Sequence, residues 1–260
     1  MSAGTLYLVP NTLDLGTLDA GGATPDLQHT LPLEAIRVAA ALTHWVAENA
    51  KTTRAFLKRV NAVVPLSQPL QSIQIVELPR APKGRPGAAP VDLTPLLAPA
   101  AQGHDIGLIS EAGLPAVADP GAALVMAAHR RGIRVLPLSG PSALLLALAA
   151  SGLNGQSFAF VGYVPSDAPA QAQRLKELES QSQRLGQTQI LIETPYRNAS
   201  LLRAMLQGLA PATWLSVSCG LTLERGWTRT AQISQWQREP SELPADVPAV
   251  FCLLKTDGPR

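Results

Sequence analysis

The sequence predicts an α/β protein of two domains, the first built on a mainly parallel sheet and the second on a mixed one. Three observations carry this. From Ile106 to Ala143 a short apolar run, a Gly/Pro loop, an apolar helical stretch, a second apolar run and another Gly/Pro turn follow one another. That is the order of a βαβ crossover, whose parallel strands place both following loops at one edge of the sheet. Towards the end, Gly226 to Ile233 and Ala249 to Lys255 read as strands separated only by a Pro-rich loop, which implies antiparallel pairing. Between the two patterns lies a Gly/Pro junction, Pro137 to Pro141, so the domains are expected to be 1–138 and 139–260.

The elements follow in order. Leu6 to Val9 is an apolar strand ending at Pro10, and the turn Asn11 to Gly22 holds three glycines and two aspartates. Leu33, Ile36 and Leu42 share one face of a helix from Leu33 to Thr43. His44 to Glu48 is a strand ending in a carboxylate. In the helix that begins at Lys51, Phe56, Leu57 and Val60 form one face and Lys51, Arg54 and Lys58 another. Ile73 to Leu78 fits strand or helix equally, Arg80 to Pro90 is a Pro/Gly-rich segment expected to be an exposed mobile loop, and Val91 to Ala101 is expected to be helical. After the crossover, Pro141 opens a helix from Ser142 to Ser151 that is apolar on nearly every side and so expected to be buried. Phe158 to Val164 (strand), Ala170 to Leu185 (helix), Gln189 to Glu193 (strand), Asn198 to Leu209 (helix) and Trp214 to Cys219 (strand) complete the second half.

Composition narrows the function classes. Of 260 residues, 46% are hydrophobic and only 15% charged, which favours a sizeable core over disorder. A net charge of +2 makes no case by itself for nucleic acid or a membrane surface. Cys219 and Cys252 both lie in apolar runs and read as buried free thiols of a reducing compartment. His29, His44, His104 and His129 are scattered without zinc spacing, so no metal is expected. The first residues lack the basic region of a signal peptide, and the longest apolar run, Ala143 to Ala150, is far too short to span a bilayer. A cytoplasmic protein without a membrane partner is expected. There is no Walker-type P-loop, no Gly-x-Gly-x-x-Gly after a strand and no Gly-x-Ser-x-Gly elbow.

The Gly/Pro segments are more specific together than apart. Ser110-Glu-Ala-Gly-Leu-Pro-Ala-Val-Ala-Asp-Pro-Gly121, Gly132-Ile-Arg-Val-Leu-Pro-Leu-Ser-Gly-Pro-Ser-Ala143 and Ala150-Ser-Gly-Leu153 resemble the tetrapyrrole methylase superfamily, most closely its small-subunit ribosomal RNA cytidine 2′-O-methyltransferases. Phe158 to Pro165, Glu193-Thr-Pro-Tyr-Arg-Asn198 and Val247-Pro-Ala-Val250 extend the resemblance. It implies two α/β domains with a ligand cleft between them, a homodimer, ribosomal RNA as a partner, and S-adenosylmethionine as cofactor. Carried over by position, Pro10, Ser110, Gly113, Pro115, Gly140, Ser142 and Ala143 would contact the methyl donor, Pro248 and Ala249 would flank its adenine, and Asp119 would cap the following helix. The implied activity is methylation of a ribose 2′-oxygen. The alternatives are a small-molecule acceptor, or a donor-binding paralogue without turnover.

The sequence departs from that family chiefly on the acceptor side. Pro-Ile-Gly-Asn-Leu after the first strand is replaced by Asn11-Thr-Leu-Asp-Leu-Gly16, Glu-Asp-Thr-Arg by Glu48-Asn-Ala-Lys51, and Ser-Asp-Ala-Gly by Ser110-Glu-Ala-Gly113. A hydroxyl is a poor nucleophile until its proton is taken, and Glu48, Glu111 and Lys51 are the candidate catalytic groups. Helix capping by Glu48 and loop hydrogen bonding by Glu111 weigh equally against that role. Glu193, Tyr196 and Arg197 read either as an acceptor-binding loop or as an ordinary helix start. The stripe Lys51, Arg54, Lys58 with Arg80, Lys83 and Arg85 could follow an RNA backbone, but a solvated face is the stronger reading for a chain this close to neutral.

Overall fold

In the computed structural model, which describes residues 3–15, 25–79, 91–239 and 241–256, the chain divides into two units, Met1–Ser142 and Ala143–Arg260. The first unit carries β1 (Thr5–Leu8), α1 (Leu33–Ala41), β2 (His44–Ala47), α2 (Ala50–Val63), β3 (Gln74–Glu77), α3 (Ala98–Ala101), β4 (Ile106–Ile109), α4 (Ala122–Arg130) and β5 (Arg134–Pro137). Its strands are all parallel, in the order β3-β2-β4-β1-β5. A parallel sheet must be covered on both faces, and two apolar clusters do this. Ile36, Trp45, Phe56, Leu57 and Val60 pack on one side, and Leu6, Leu97, Leu108, Leu124 and Ala128 on the other. Each of the leucine, isoleucine, valine and phenylalanine side chains contributes roughly 1.5–3 kcal/mol on burial.

The strand order decides where a ligand can sit. From β1 the chain moves towards the β3 edge, whereas from β4 it crosses over β1 to reach β5. β1 and β4 are therefore the neighbours at which the winding reverses, and a crevice opens beyond the carboxyl ends of such a pair. The crossover strands β4 and β5 are not themselves neighbours, because β1 is inserted between them. Three turns rather than two thus meet at this edge.

The second unit carries α5 (Ala143–Ser151), β6 (Phe158–Gly162), α6 (Ala168–Leu185), β7 (Thr188–Ile192), α7 (Asn198–Gly208), β8 (Trp214–Cys219), β9 (Trp227–Gln232), α8 (Ile233–Arg238) and β10 (Ala249–Leu254). Its sheet is mixed, in the order β6-β7-β10-β8-β9, with β6 parallel to β7 and the remaining pairs antiparallel. Asp167 caps α6 by accepting from the Ala170 amide at 3.1 Å, and Gly186, at φ +57°, ends it.

Gln74–Glu77 is an edge strand, which decides between the two readings of Ile73 to Leu78. Three elements differ from expectation, each for a local reason. The helix expected over 91–101 shrinks to a 3-10 turn, Thr94–Leu97, and the short α3, with Pro95 and Pro99 marking both starts. The loop expected between β9 and β10 contains α8, anchored by the buried Ile233 and Trp236 and a Gln232/Gln235 capping box. Finally, α5 is not buried all round. Leu144, Ala147 and Leu148 pack against Ile190, Val250 and Cys252, while Leu145 and Leu146 stay exposed at 52% and 37%. Among the described residues no helix is long and apolar enough to cross a membrane. The segment Arg80 to Pro90, and with it Arg80, Lys83 and Arg85, lies outside the described residues.

Candidate active site

The turns leaving β1, β4 and β5 are tied together by backbone. Asn11, just past β1, exchanges two hydrogen bonds with Gly113, past β4, at 2.8 and 3.2 Å. Its side-chain amide also donates to the carbonyls of Ser110 and Glu111, at 3.1 and 3.0 Å. On the other side of β1, a Cβ built on Gly140 would lie 2.2 Å from Pro10 Cβ, so only glycine permits this approach. Gly113 has φ +67°, and a Cβ there would meet Leu13 and the Pro141 carbonyl at ordinary distances of 3.4 and 3.5 Å. Gly113→Ala is therefore expected to cost about 1 kcal/mol, from conformation rather than collision, and a thermal melt a few degrees lower checks this.

Six of the residues to which the family resemblance gives donor contact fall in this first unit. Pro10, Ser110, Gly113 and Pro115 lie on the turns after β1 and β4, and Gly140 and Ser142 on the segment after β5. Ser142 is buried at the end of that segment. The remaining three lie in the second unit. Ala143 opens α5, Ala249 pairs with Cys219 at the start of β10, and the Pro248 carbonyl accepts from the Gly220 amide at 2.9 Å.

The loop from 113 to 121 holds four residues with positive φ: Gly113, Ala116, Ala118 and Gly121. Alanine in that region costs about 1–2 kcal/mol, so surrounding contacts impose this path. Its consequence concerns Asp119. Gly121 starts α4 with no side-chain cap, so the capping role expected of Asp119 is not what the structure shows. Instead the half-buried Asp119 carboxyl is pushed up to about 6. Burial is the largest cause, the Glu48 charge comes next, the Ser110 hydroxyl opposes the rise, and Glu111 adds to it.

Glu48 does not cap α2 either. Asn49 does, accepting from the Lys51 and Thr52 amides at 2.9 and 3.3 Å. Glu48 Oε2 reaches across to accept from the Glu111 amide at 3.1 Å, and Glu111 Oε1 accepts from the Thr52 hydroxyl at 3.1 Å. Glu48, Glu111 and Asp119 thus gather at the ends of β2 and β4. Lys51 is exposed on α2 and, among the described residues, forms no ion pair with them. Arg54 and Lys58 are exposed beside it, as a solvated face would be.

Sequence reasoning passed over two further groups. Asn11 clamps the β1 and β4 turns, as described. Asp14, almost fully buried, accepts from the Thr12 hydroxyl at 2.8 Å and pairs with Arg59 at 2.8 Å. In the second unit the motif from Glu193 to Asn198 is a helix start. The Glu193 side chain is buried, pairs with Arg197 at 3.1 Å and accepts from the Thr194 amide at 2.8 Å, whereas Tyr196 is 72% exposed. Both cysteines are free and buried; burial pushes the Cys252 thiol up to about 12 and raises Cys219, so neither is a ready nucleophile.

A profile of the tetrapyrrole (corrin/porphyrin) methylases matches residues 22–231. Among curated proteins, the ribosomal RNA small subunit methyltransferase I of Mesorhizobium japonicum is 43% identical over 114 residues, 44% of this chain and 37% of that protein. Its namesake from Vibrio cholerae is 39% identical over 107 residues, 41% of this chain and 36% of its own length. The one from Synechocystis is 37% identical over 139 residues, 53% and 48% respectively. The chain thus matches less than half the length of each of these relatives. Two solved structures share the fold. A uroporphyrin-III-C-methyltransferase from Thermus thermophilus gives a TM-score of 0.50 at 20% identity, covering 97% of this chain and 94% of its own. The methyltransferase CobJ gives 0.53 at 17% identity, covering 100% and 97%.

Proposed function

The chain belongs to the tetrapyrrole (corrin/porphyrin) methylases, and from that premise we propose an S-adenosylmethionine-dependent methyltransferase whose acceptor is a ribose 2′-hydroxyl of RNA. The observation carrying the donor half is the close backbone approach of Gly140 to Pro10. A site of glycine, proline and backbone polar groups suits a ligand that needs positioning rather than attack. Pro10, Ser110, Gly113, Pro115, Gly140 and Ser142 would hold the donor in this unit. When bound, S-adenosylmethionine supplies an electrophilic methyl group. What remains for the protein is to align the acceptor and accept its proton.

We assign the proton to Asp119, a carboxyl poised near neutrality, with Glu48 and Glu111 holding the acceptor and Lys51 outside the reacting set. The acceptor half rests on the names of the relatives and on charge. Three carboxylates meet here with no ion-paired cation among the described residues. A polycarboxylate such as a uroporphyrin would be repelled, whereas RNA can present a hydroxyl and keep its phosphates on the Lys51, Arg54 and Lys58 stripe. Incubation with labelled donor and RNA is expected to leave label in alkali-resistant dinucleotides, the mark of 2′-O-methylation. Label in the small-molecule fraction alone would overturn the RNA assignment.

Binding without turnover is the second reading. It is favoured by the turn after β1, where Thr12, Asp14 and Arg59 bind one another; any label in RNA removes it. A cytoplasmic homodimer belongs to the same proposal, and a monomer mass in sedimentation equilibrium would remove the dimer.

A further inference from the structure

The turn after β1, where this chain departs from Pro-Ile-Gly-Asn-Leu, is held from α2 by one guanidinium. Arg59 donates from one terminal nitrogen to the Thr12 hydroxyl and Asp14 Oδ1, at 3.3 and 3.2 Å. From the other it donates to Asp14 Oδ2 and the Pro25 carbonyl, at 2.8 and 2.9 Å. The Asp14 and Arg59 side chains are only 6% and 19% exposed, so two largely desolvated charges meet in a fork. Taking such charges out of water cancels most of what their attraction returns. The buried Arg59 Nε, which has no hydrogen-bond partner among the described residues, adds a further cost. The pair is therefore a poor source of stability. It is a good source of position, because the planar fork fits a carboxylate in one orientation. The helix carrying Arg59 is itself fixed, with Phe56, Leu57 and Val60 in the core.

An unbroken run of contacts leads from that fork to the donor turns. The Thr12 hydroxyl donates to Asp14 Oδ1 at 2.8 Å, and the Thr12 amide donates to Asn11 Oδ1 at 2.9 Å. With its oxygen so engaged, the Asn11 amide presents Nδ2 to the Ser110 and Glu111 carbonyls. Asn11 directly follows Pro10 and shares two backbone hydrogen bonds with Gly113. We propose that Arg59 is a positioning residue of the donor site. Its grip on Asp14 sets the turn after β1, and through Asn11 the placing of Pro10 against Gly113. The proposal rests on the donor reading above and adds a residue, outside the donor contacts, on which the affinity of that site depends.

The test separates position from stability. Arg59→Met combined with Asp14→Leu replaces the pair by apolar side chains of comparable shape and leaves no charge unpaired, whereas Arg59→Met alone strands the Asp14 carboxylate. Melting temperature and affinity for S-adenosylhomocysteine by calorimetry are measured on the parent full chain, both of these variants and Arg59→Lys. The double variant is expected to melt within about 5 °C of the parent and yet to bind about ten-fold more weakly, a loss within what contact chains of this kind transmit. Arg59→Met alone is expected to melt lowest. Arg59→Lys keeps the charge but not the fork; it is expected to melt like the parent and bind about three-fold more weakly, and it carries the test should the double variant fail to fold. Affinity that merely follows melting temperature across the set, or parent affinity in the double variant or in Arg59→Lys, overturns the proposal. In those cases a parent that binds S-adenosylhomocysteine keeps the donor reading. A parent that does not bind it removes that reading and this proposal together.

Discussion

Asp119→Asn is expected to slow methyl transfer to RNA about 100-fold, near the lower end of what a positioned base supplies, and at the same time to make the protein more stable at neutral pH. The two effects have one origin. Folding raises this carboxyl from the usual value of about 4 to about 6, chiefly by burial and then by the Glu48 charge. A raised carboxyl is better tolerated protonated. Its favourable contribution is full below pH 4 and is lost as pH rises through about 6, so at pH 7 the folded protein holds an ionised group it would be more stable without. Asparagine keeps the shape and drops the charge. After allowing for the solvent that reaches this half-buried side chain, the gain is about 1 kcal/mol, a few degrees in a melt at pH 7.5 that vanishes in a melt below pH 4. The rate carries the complementary signature. In the parent, kcat/KM climbs with pH, bends near 6 and then levels as Asp119 ionises; in Asp119→Asn the climb disappears. Greater stability with an unchanged rate would make Asp119 a strained loop residue and return the proton to Glu48 or Glu111.

That residue also shows where sequence reading stops. The strand–loop–helix rhythm around Ile106 to Ala143 is written in local apolar period and Gly/Pro punctuation, and the parallel first sheet follows from it, as the mixed second sheet follows from the successive apolar runs after Gly226. Strand order is not local: nothing near Leu6 says that β1 will slide between β4 and β5. Weak burial hides an element too, as in the exposed edge strand β3 and in α8, which is polar apart from Ile233 and Trp236. The capping role of Asp119 is what the family resemblance implies. Gly121, at φ +130°, takes the start of α4 on itself and leaves the carboxylate to meet Glu48, a partner on another strand end. The Glu48 and Glu111 contact spans sixty-three positions of sequence, a distance at which spacing carries no information.

Gly140→Ala is the change expected to damage donor binding most, and its cause can be isolated. The backbone here is not in the region reserved for glycine, so alanine is acceptable in conformation. The obstacle is Pro10, whose Cβ and Cγ would stand 2.2 and 2.5 Å from the new methyl, with Leu31 at an ordinary 3.7 Å. A proline ring cannot swing aside as a long side chain would, so the turns after β1 and β5 must part. Overpacking of this kind costs about 1–3 kcal/mol. Displacing two walls of a backbone-lined site by a few tenths of an ångström or more should weaken S-adenosylhomocysteine at least ten-fold by calorimetry. Pro10→Gly removes both offending atoms at a conformational cost of about 1 kcal/mol, and the double variant decides the matter. If the collision is the cause, Pro10→Gly with Gly140→Ala binds better than Gly140→Ala alone and the coupling is strongly favourable. If the two losses simply add, the turns after β1 and β5 do not hold the donor together, and the site must be sought elsewhere along the carboxyl edge of the sheet.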